Sequence, residues 1–288
     1  MTVLELRDVC YAYDKGTPMQ KEAVKHISLN IEKGSMTGII GHTGCGKSTL
    51  LRMLNGLLRP DSGEILLCGV NIWEKPKAIS SLRYRVGLVM QYPEYQLFDE
   101  TVGADIAYGP RNMKLPQEEI TARVREAADF VGIPESLLEK SPFELSGGQK
   151  RRVAIAGVVA MRPEILVLDE PAAGLDPMGR EEIFEGLAAY RRKSGATVIV
   201  VSHSMEDMAR YCDRLVVMNE GALYMEGAKE EVFLRADKLM EIGLGVPEVT
   251  RLVSLLRAGG MPLSPSIFTV ADAEKALLPL LGGEKHVK

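Results

Sequence analysis

The sequence predicts an α/β fold built on a mainly parallel core sheet, and three observations carry that reading. A glycine-rich string, Gly41-His42-Thr43-Gly44-Cys45-Gly46-Lys47-Ser48, follows a short apolar run and leads into a helix-like one. Two further runs, residues 165–168 and 197–201, are apolar at every position but Thr197, as in strands covered on both faces. A helical stretch at residues 178–193 separates them, which makes a βαβ unit.

The remaining elements fall into order around these. Residues 3–9 and 25–31 read as strands of an antiparallel β subdomain, with turn residues at 14–18 between them. Residues 36–40 form the strand before the glycine string, and 47–56 the helix after it. Short strands follow at 64–68 and 86–90. From residue 102 to 161 the pattern turns helical, and a helical subdomain is placed at about 92–160. Within it, Ile120, Val124, Ala127, Ala128 and Val131 recur at helical spacing between Pro116 and Gly132. A hairpin over 214–219 and 222–226 turns at Glu220-Gly221. Past residue 240 the character changes. Gly243, Gly245 and Pro247 suggest a linker, followed by short amphipathic helices at 249–257 and 270–281. Thr269 and Asp272 are placed to cap the second of these. The chain thus divides into a large unit, 1–240, and a C-terminal helical extension, 241–288.

Bulk properties narrow the function. With 288 residues and 46% hydrophobic content the chain can bury a sizeable core. The net charge is −4, and Lys and Arg are dispersed, which speaks against a nucleic-acid surface; no nucleic-acid partner is expected. Cys10, Cys45, Cys68 and Cys212 are far apart and form no C-x-x-C pair, so neither a zinc site nor a disulfide framework is suggested, and a reducing cytoplasm fits. Glu5 and Arg7 interrupt any signal-peptide core, and no apolar run reaches the ~20 residues that span a bilayer. A role at a membrane therefore requires a partner there.

The glycine string fits the phosphate-binding pattern G-x-x-x-x-G-K-[ST]. Gly41, Gly44 and Gly46 let backbone N–H groups close around phosphates, and the helix that follows aims its positive end at them. Lys47 is placed to reach the β- and γ-phosphates and Ser48 to ligate Mg²⁺. Cys45 and Thr49 belong to the same candidate nucleotide site. Asp169 ends a buried strand, where a carboxylate can hold the Mg²⁺ shell, and Glu170 lies one residue further on, where it can polarise a water. Leu145-Ser146-Gly147-Gly148-Gln149 reads locally as a capping box, Ser146 at N-cap and Gln149 at N3. Two glycines in a first turn cost about 1 kcal/mol each against alanine. They make sense where a phosphate approaches the backbone, which implies a second nucleotide-facing surface.

These segments, once each and in order over residues 3–230, resemble the ATP-binding cassette (ABC) ATPases. That resemblance implies a pair of cassettes enclosing ATP head to tail, the phosphate loop of one facing Ser146, Gly148 and Gln149 of the other. It further implies that Tyr13 stacks on adenine, with Tyr11 as the nearby alternative, and that Gln91 senses Mg²⁺ and the attacking water. Glu170 would be the catalytic base, His203 would contact the γ-phosphate, and Asp176 would lie in a loop crossing the dimer. Ala172 departs from the Thr or Ser of many cassettes, at a position without an assigned chemical role.

The stretch from Gln91 to Val102 holds Tyr92, Tyr95 and Phe98, where cassettes meet a membrane partner; packing under the helical subdomain is the alternative. Its wording, with Gly16-Thr17-Pro18 and the run Gly245-Val246-Pro247-Glu248-Val249-Thr250-Arg251, resembles energy-coupling factor (ECF) importers. The resemblance implies a second ATPase, identical or different, a transmembrane coupling protein, and a small membrane protein that captures a vitamin or a transition-metal ion. It places the chain peripherally on the cytoplasmic side of the cell membrane. The extension would help hold the ATPase pair together, or pack on its own cassette. Other ABC transporters, and soluble ABC machines acting on nucleic acid or ribosomes, are the alternatives.

Overall fold

The computed structural model describes residues 1–75 and 79–281. In chain order the elements are β1 (Thr2–Tyr13), β2 (Lys21–Glu32), β3 (Met36–Ile40), α1 (Lys47–Leu54), β4 (Ser62–Leu67), β5 (Val70–Asn71), α2 (Ile79–Arg85) and β6 (Val86–Val89). The helices α3 (Val102–Asn112), α4 (Gln117–Phe130) and α5 (Gly147–Val159) follow and pack on one another. Next come β7 (Ile165–Asp169), α6 (Pro177–Ser194), β8 (Thr197–Val201), α7 (Met205–Tyr211), β9 (Arg214–Asn219) and β10 (Ala222–Ala228). The chain continues through α8 (Lys229–Phe233), α9 (Ala236–Glu241), α10 (Glu248–Ala258) and α11 (Val270–Leu281).

Two sheets result. One is antiparallel, in the order β2-β1-β4-β5; the other runs β10-β9-β3-β8-β7-β6, parallel except at the β10 edge. The near-continuous apolar runs follow from this position. Ile39, Val167, Ile199 and Val201 face α1 and the antiparallel sheet, while Ile40, Leu166, Leu168, Val198 and Val200 face the α5–α7 side. With both faces covered, a period-2 polar alternation has no place in these strands.

The first two strands run further than the alternation suggests. Asp8 and His26 sit at φ +49° and +48°, and the β1–β2 register shifts between Leu6 and Val9 and again before Tyr11. Such bulges break the period, so a strand looks shorter in sequence than it is. The segment read as a linker is also anchored. Leu244 and Val246 join the main core cluster, and Phe268 packs against Phe233 with ring centroids 5.7 Å apart. Beyond it α10 and α11 enclose a small apolar cluster of Val253, Leu263, Ile267 and Ala273. Thr269 Oγ1 accepts from the Asp272 N–H at 3.2 Å, the expected cap of α11. Residues 282–288 of the extension lie outside the described residues. Among the described residues no helix is long and apolar enough to cross a membrane.

Candidate functional site

Strand register builds the site. Val201 on β8 pairs with Ile39 on β3 and with Asp169 on β7, and Leu168 pairs with Val89 on β6. Four parallel strands therefore finish nearly level. The glycine loop, Glu170, His203 and Gln91 each leave one of them within two residues. This is the carboxyl edge, where open α/β sheets bind ligands.

The loop between β3 and α1 is shaped by its glycines. Gly46 has φ +104°, and a Cβ there would lie 2.1 Å from the Ala23 carbonyl oxygen. Lys47 is buried at 6% exposure, and its ammonium donates to the carbonyls of Gly41 at 2.6 Å and His42 at 2.8 Å. Those bonds hold the loop around the side chain. The Tyr13 hydroxyl lies 3.1 Å from Thr49 Oγ1, tying the end of β1 to α1. Tyr11 stands edge-on to Tyr13 and packs against the core, so only Tyr13 reaches the cleft.

That cleft, of about 300 Å³, is lined by Tyr13, Lys47, Ser48, Thr49, Gln91, Glu170 and His203, together with Gly44 and Gly46. His203 Nε2 is 2.9 Å from Glu170 Oε1, and Gln91 Nε2 donates to Glu170 Oε2 at 3.4 Å. Glu170 sits in the left-handed region at φ +52°, uncommon for a non-glycine residue. Its N–H extends the ladder to the Val201 carbonyl at 3.1 Å, and its own carbonyl accepts from Ala173 at 3.2 Å. These bonds fix the strained residue and set its carboxylate between an imidazole and an amide.

Lys21, Ala23 and Thr43 also line the cleft and were not singled out from sequence. Thr43 occupies a free position of the phosphate-loop pattern. Lys21 and Ala23 belong to the part of β2 hidden by its bulge. Gly41, Cys45 and Asp169 are buried and are not among the residues that line the cleft. Asp169, at 7% exposure, is the last residue of β7.

Ser146, Gly148 and Gln149 are elsewhere on the chain. Ser146 Oγ accepts from the Gln149 N–H at 3.3 Å, and Gln149 Oε1 accepts from the Ser146 N–H at 3.0 Å, completing the capping box. A Cβ at Gly147 would meet nothing within 4 Å, and one at Gly148 only Leu175 Cδ2 at 3.5 Å. Among the described residues, no packing demands glycine here. Asp176 caps α6, its Oδ1 accepting from Gly179 at 2.7 Å. A larger cavity of about 710 Å³ opens at the opposite, amino edge of the strands, lined by residues such as Phe130, Val159 and Tyr190. No residue expected to act on nucleotide lines it.

Comparison with known proteins shows the family and the fold. Residues 24–173 match the ABC transporter family. The energy-coupling factor transporter ATP-binding protein EcfA2 of Caldanaerobacter subterraneus subsp. tengcongensis is 50% identical, over 99% of both chains. That of Clostridium perfringens is 50% identical over 96% of this chain and 98% of its own. The chain belongs to the energy-coupling factor ATP-binding proteins of the ABC transporter family. Among solved structures, cbiO1 from Clostridium perfringens, part of the ABC transporter complex cbiONQ, superposes with a TM-score of 0.75 at 41% identity. That match covers 89% of this chain and 99% of the other. A dimeric ATP-binding cassette bound to ADP and Pi matches with a TM-score of 0.71 at 28% identity, covering 78% and 98%. As an ABC ATPase of this family, the protein binds ATP and couples its hydrolysis to transport.

Proposed function

We propose that this ECF ATP-binding protein hydrolyses ATP at sites shared between two cassettes and so drives uptake of a vitamin or a transition-metal ion. One observation carries the shared-site reading. The phosphate cleft is formed at the strand ends, whereas the glycines of 146–149 lie outside it, and none of the described residues packs against Gly147. A second cassette that presents its own 146–149 segment would complete the cleft.

Within the cleft, backbone N–H groups of the glycine loop and Lys47 hold the phosphates. Tyr13 stacks on the adenine. Glu170 accepts a proton from the water as its oxygen bonds to the γ-phosphorus, and the bond to the β–γ bridging oxygen breaks, releasing ADP and phosphate. His203 and Gln91 keep the carboxylate aimed, and His203 also faces the transferred group. The Ser48 hydroxyl, the Gln91 amide oxygen and the Asp169 carboxylate are hard oxygen donors, a set that suits Mg²⁺. When bound, Mg²⁺ neutralises charge on the phosphate oxygens.

The exposed rings support a membrane partner. Tyr95 is 85% exposed and Phe98 60%, so they do not pack under the helical subdomain. Phe98 stands edge-on to Tyr108 of α3 at 4.9 Å, forming a continuous aromatic surface. Apolar surface of this kind marks an interaction site. A transmembrane coupling protein seated there would hold the chain at the cytoplasmic face, with a small membrane protein supplying the cargo. On α10, Leu252 and Leu255 are exposed, which supports the extension's contact with the second ATPase.

The test is an affinity pull-down of the tagged chain from detergent-solubilised native membranes, with companions identified by mass spectrometry. Recovery of a second cassette ATPase, a multispanning subunit and a small integral membrane protein is the expected result. A conventional permease pair would replace the ECF assembly with another transporter class. Soluble proteins or nucleic acid alone would refute the transport role.

A further inference from the structure

We infer that Arg151 is a positioning residue that binds the aromatic docking segment, the Ser146 helix and the loop leaving Glu170 into one mechanical unit. The inference rests on the proposed function only for what pulls on that unit. Arg151 lies in the second turn of α5, five residues after Ser146, and is 4% exposed. Its guanidinium forks onto Glu94: Nε donates to Oε2 at 3.1 Å and Nη2 to Oε1 at 2.7 Å. Nη1 donates to the Ala173 carbonyl, three residues beyond Glu170. The Tyr92 ring covers the same cation at 5.9 Å.

These partners come from segments far apart in sequence. Glu94 sits in the single 3₁₀ turn Pro93–Gln96, which follows Gln91 and carries the most exposed aromatic, Tyr95. Ala173 belongs to the turn whose N–H bonds back to the Glu170 carbonyl at 3.2 Å. One planar cation thus touches the docking segment and the loop between Glu170 and Asp176, and it is built on the helix that Ser146 caps. Only arginine offers a fork for the carboxylate and a further donor for the carbonyl. Burial sharpens the effect, because a desolvated charge that loses one partner is strongly unfavourable. Displacement of Glu94 by a bound partner must therefore carry Arg151, or leave a buried ion unpaired. Through Arg151 it reaches the Ser146 helix start and the 170–176 loop, which face opposite composite sites of a cassette pair.

Two measurements on Glu94→Gln, Arg151→Lys and Arg151→Met test this. The first is hydrogen exchange in the isolated, nucleotide-free chain. All three variants are expected to exchange at least tenfold faster at residues 170–176, with β3 and α1 unchanged. Unaltered exchange at 170–176 would overturn the linkage, whether or not any membrane subunit exists. The second is ATP turnover of the assembly purified with its membrane subunits. Here kcat is expected to fall tenfold or more while KM for ATP stays within twofold, Arg151→Lys being less impaired than Arg151→Met. Faster exchange with wild-type turnover would overturn the positioning role. Should Arg151→Met fail to fold, the near-isosteric Glu94→Gln decides. A wild-type chain that recovers no membrane subunit sinks the transport reading instead, and the exchange result stands by itself.

Discussion

Adding one methyl group at Gly46 separates two things that a phosphate loop asks of glycine. The Cβ would sit 2.1 Å from the Ala23 carbonyl oxygen, and the residue holds φ +104°. Left-handed backbone costs an L side chain about 1–2 kcal/mol. The contact is with backbone, so no rotamer relieves it, and overpacking adds about 1–3 kcal/mol. Gly44 is the control. It sits at φ +80° with nothing within 4 Å, so alanine there bears the strain alone. For a chain of this size each kcal/mol moves Tm by about 2–4 °C. Gly44→Ala should then lower Tm by about 2–8 °C and Gly46→Ala by about 4–20 °C. The assay is thermal unfolding of the nucleotide-free chain by circular dichroism, with both variants measured side by side. A Gly44→Ala melting temperature at or below that of Gly46→Ala would refute the assignment of the clash to the β2 backbone.

Further expectations concern chemistry and pH. Glu170→Gln should bind ATP normally yet release phosphate about 10²–10⁴-fold more slowly, the usual contribution of a general base; unchanged steady-state phosphate release would remove Glu170 from the mechanism. Ser146→Arg should abolish hydrolysis while the same chain's ATP affinity, read by filter binding, stays within about threefold, roughly 0.6 kcal/mol. A large loss of affinity would contradict the shared site. Asp207 has its Oδ2 buried without a hydrogen bond and 3.9 Å from Arg180, and desolvation raises its pKa above the usual carboxylate value. The folded state therefore binds this proton more tightly than the unfolded chain. The associated stability is present in acid and is lost as pH rises from the ordinary Asp range through the raised value. Asp207→Asn should accordingly gain Tm relative to wild type as pH rises from about 4 to 7. An equal difference at both pH values would show that Asp207 contributes no such linkage.

Local chemistry made much of this architecture readable in the chain. The strand 197–201 matches β8 residue for residue, because burial on both faces leaves the apolar run Val198–Val201 between Thr197 and Ser202. The strand before the glycine string and the α4 stripe were legible for similar reasons. What escaped was set by tertiary contact. The positive φ of Asp8 and His26 hid the true extent of β1 and β2, and with it the approach of Lys21 and Ala23 to the cleft. No spacing announces that Arg151 will be buried against Glu94 and Ala173, since a basic residue on a helix ordinarily points to water. The capping box at 146–149 was visible, yet its separation from the cleft is a fact about three-dimensional placement.

That separation has an arithmetic consequence for a homodimeric form. Suppose one chain carries Lys47→Ala and the other Ser146→Arg. Each variant alone assembles pairs with no working site. In a mixed pair both lesions fall into the same composite site, and the other receives an intact phosphate loop from one chain and an intact 146–149 segment from its mate. Two dead proteins mixed in equal amounts and allowed to pair at random would then recover one sound site in half of their dimers. A heterodimeric assembly would behave otherwise, because every copy of this chain would meet the same foreign mate and its two lesions would never be sorted together.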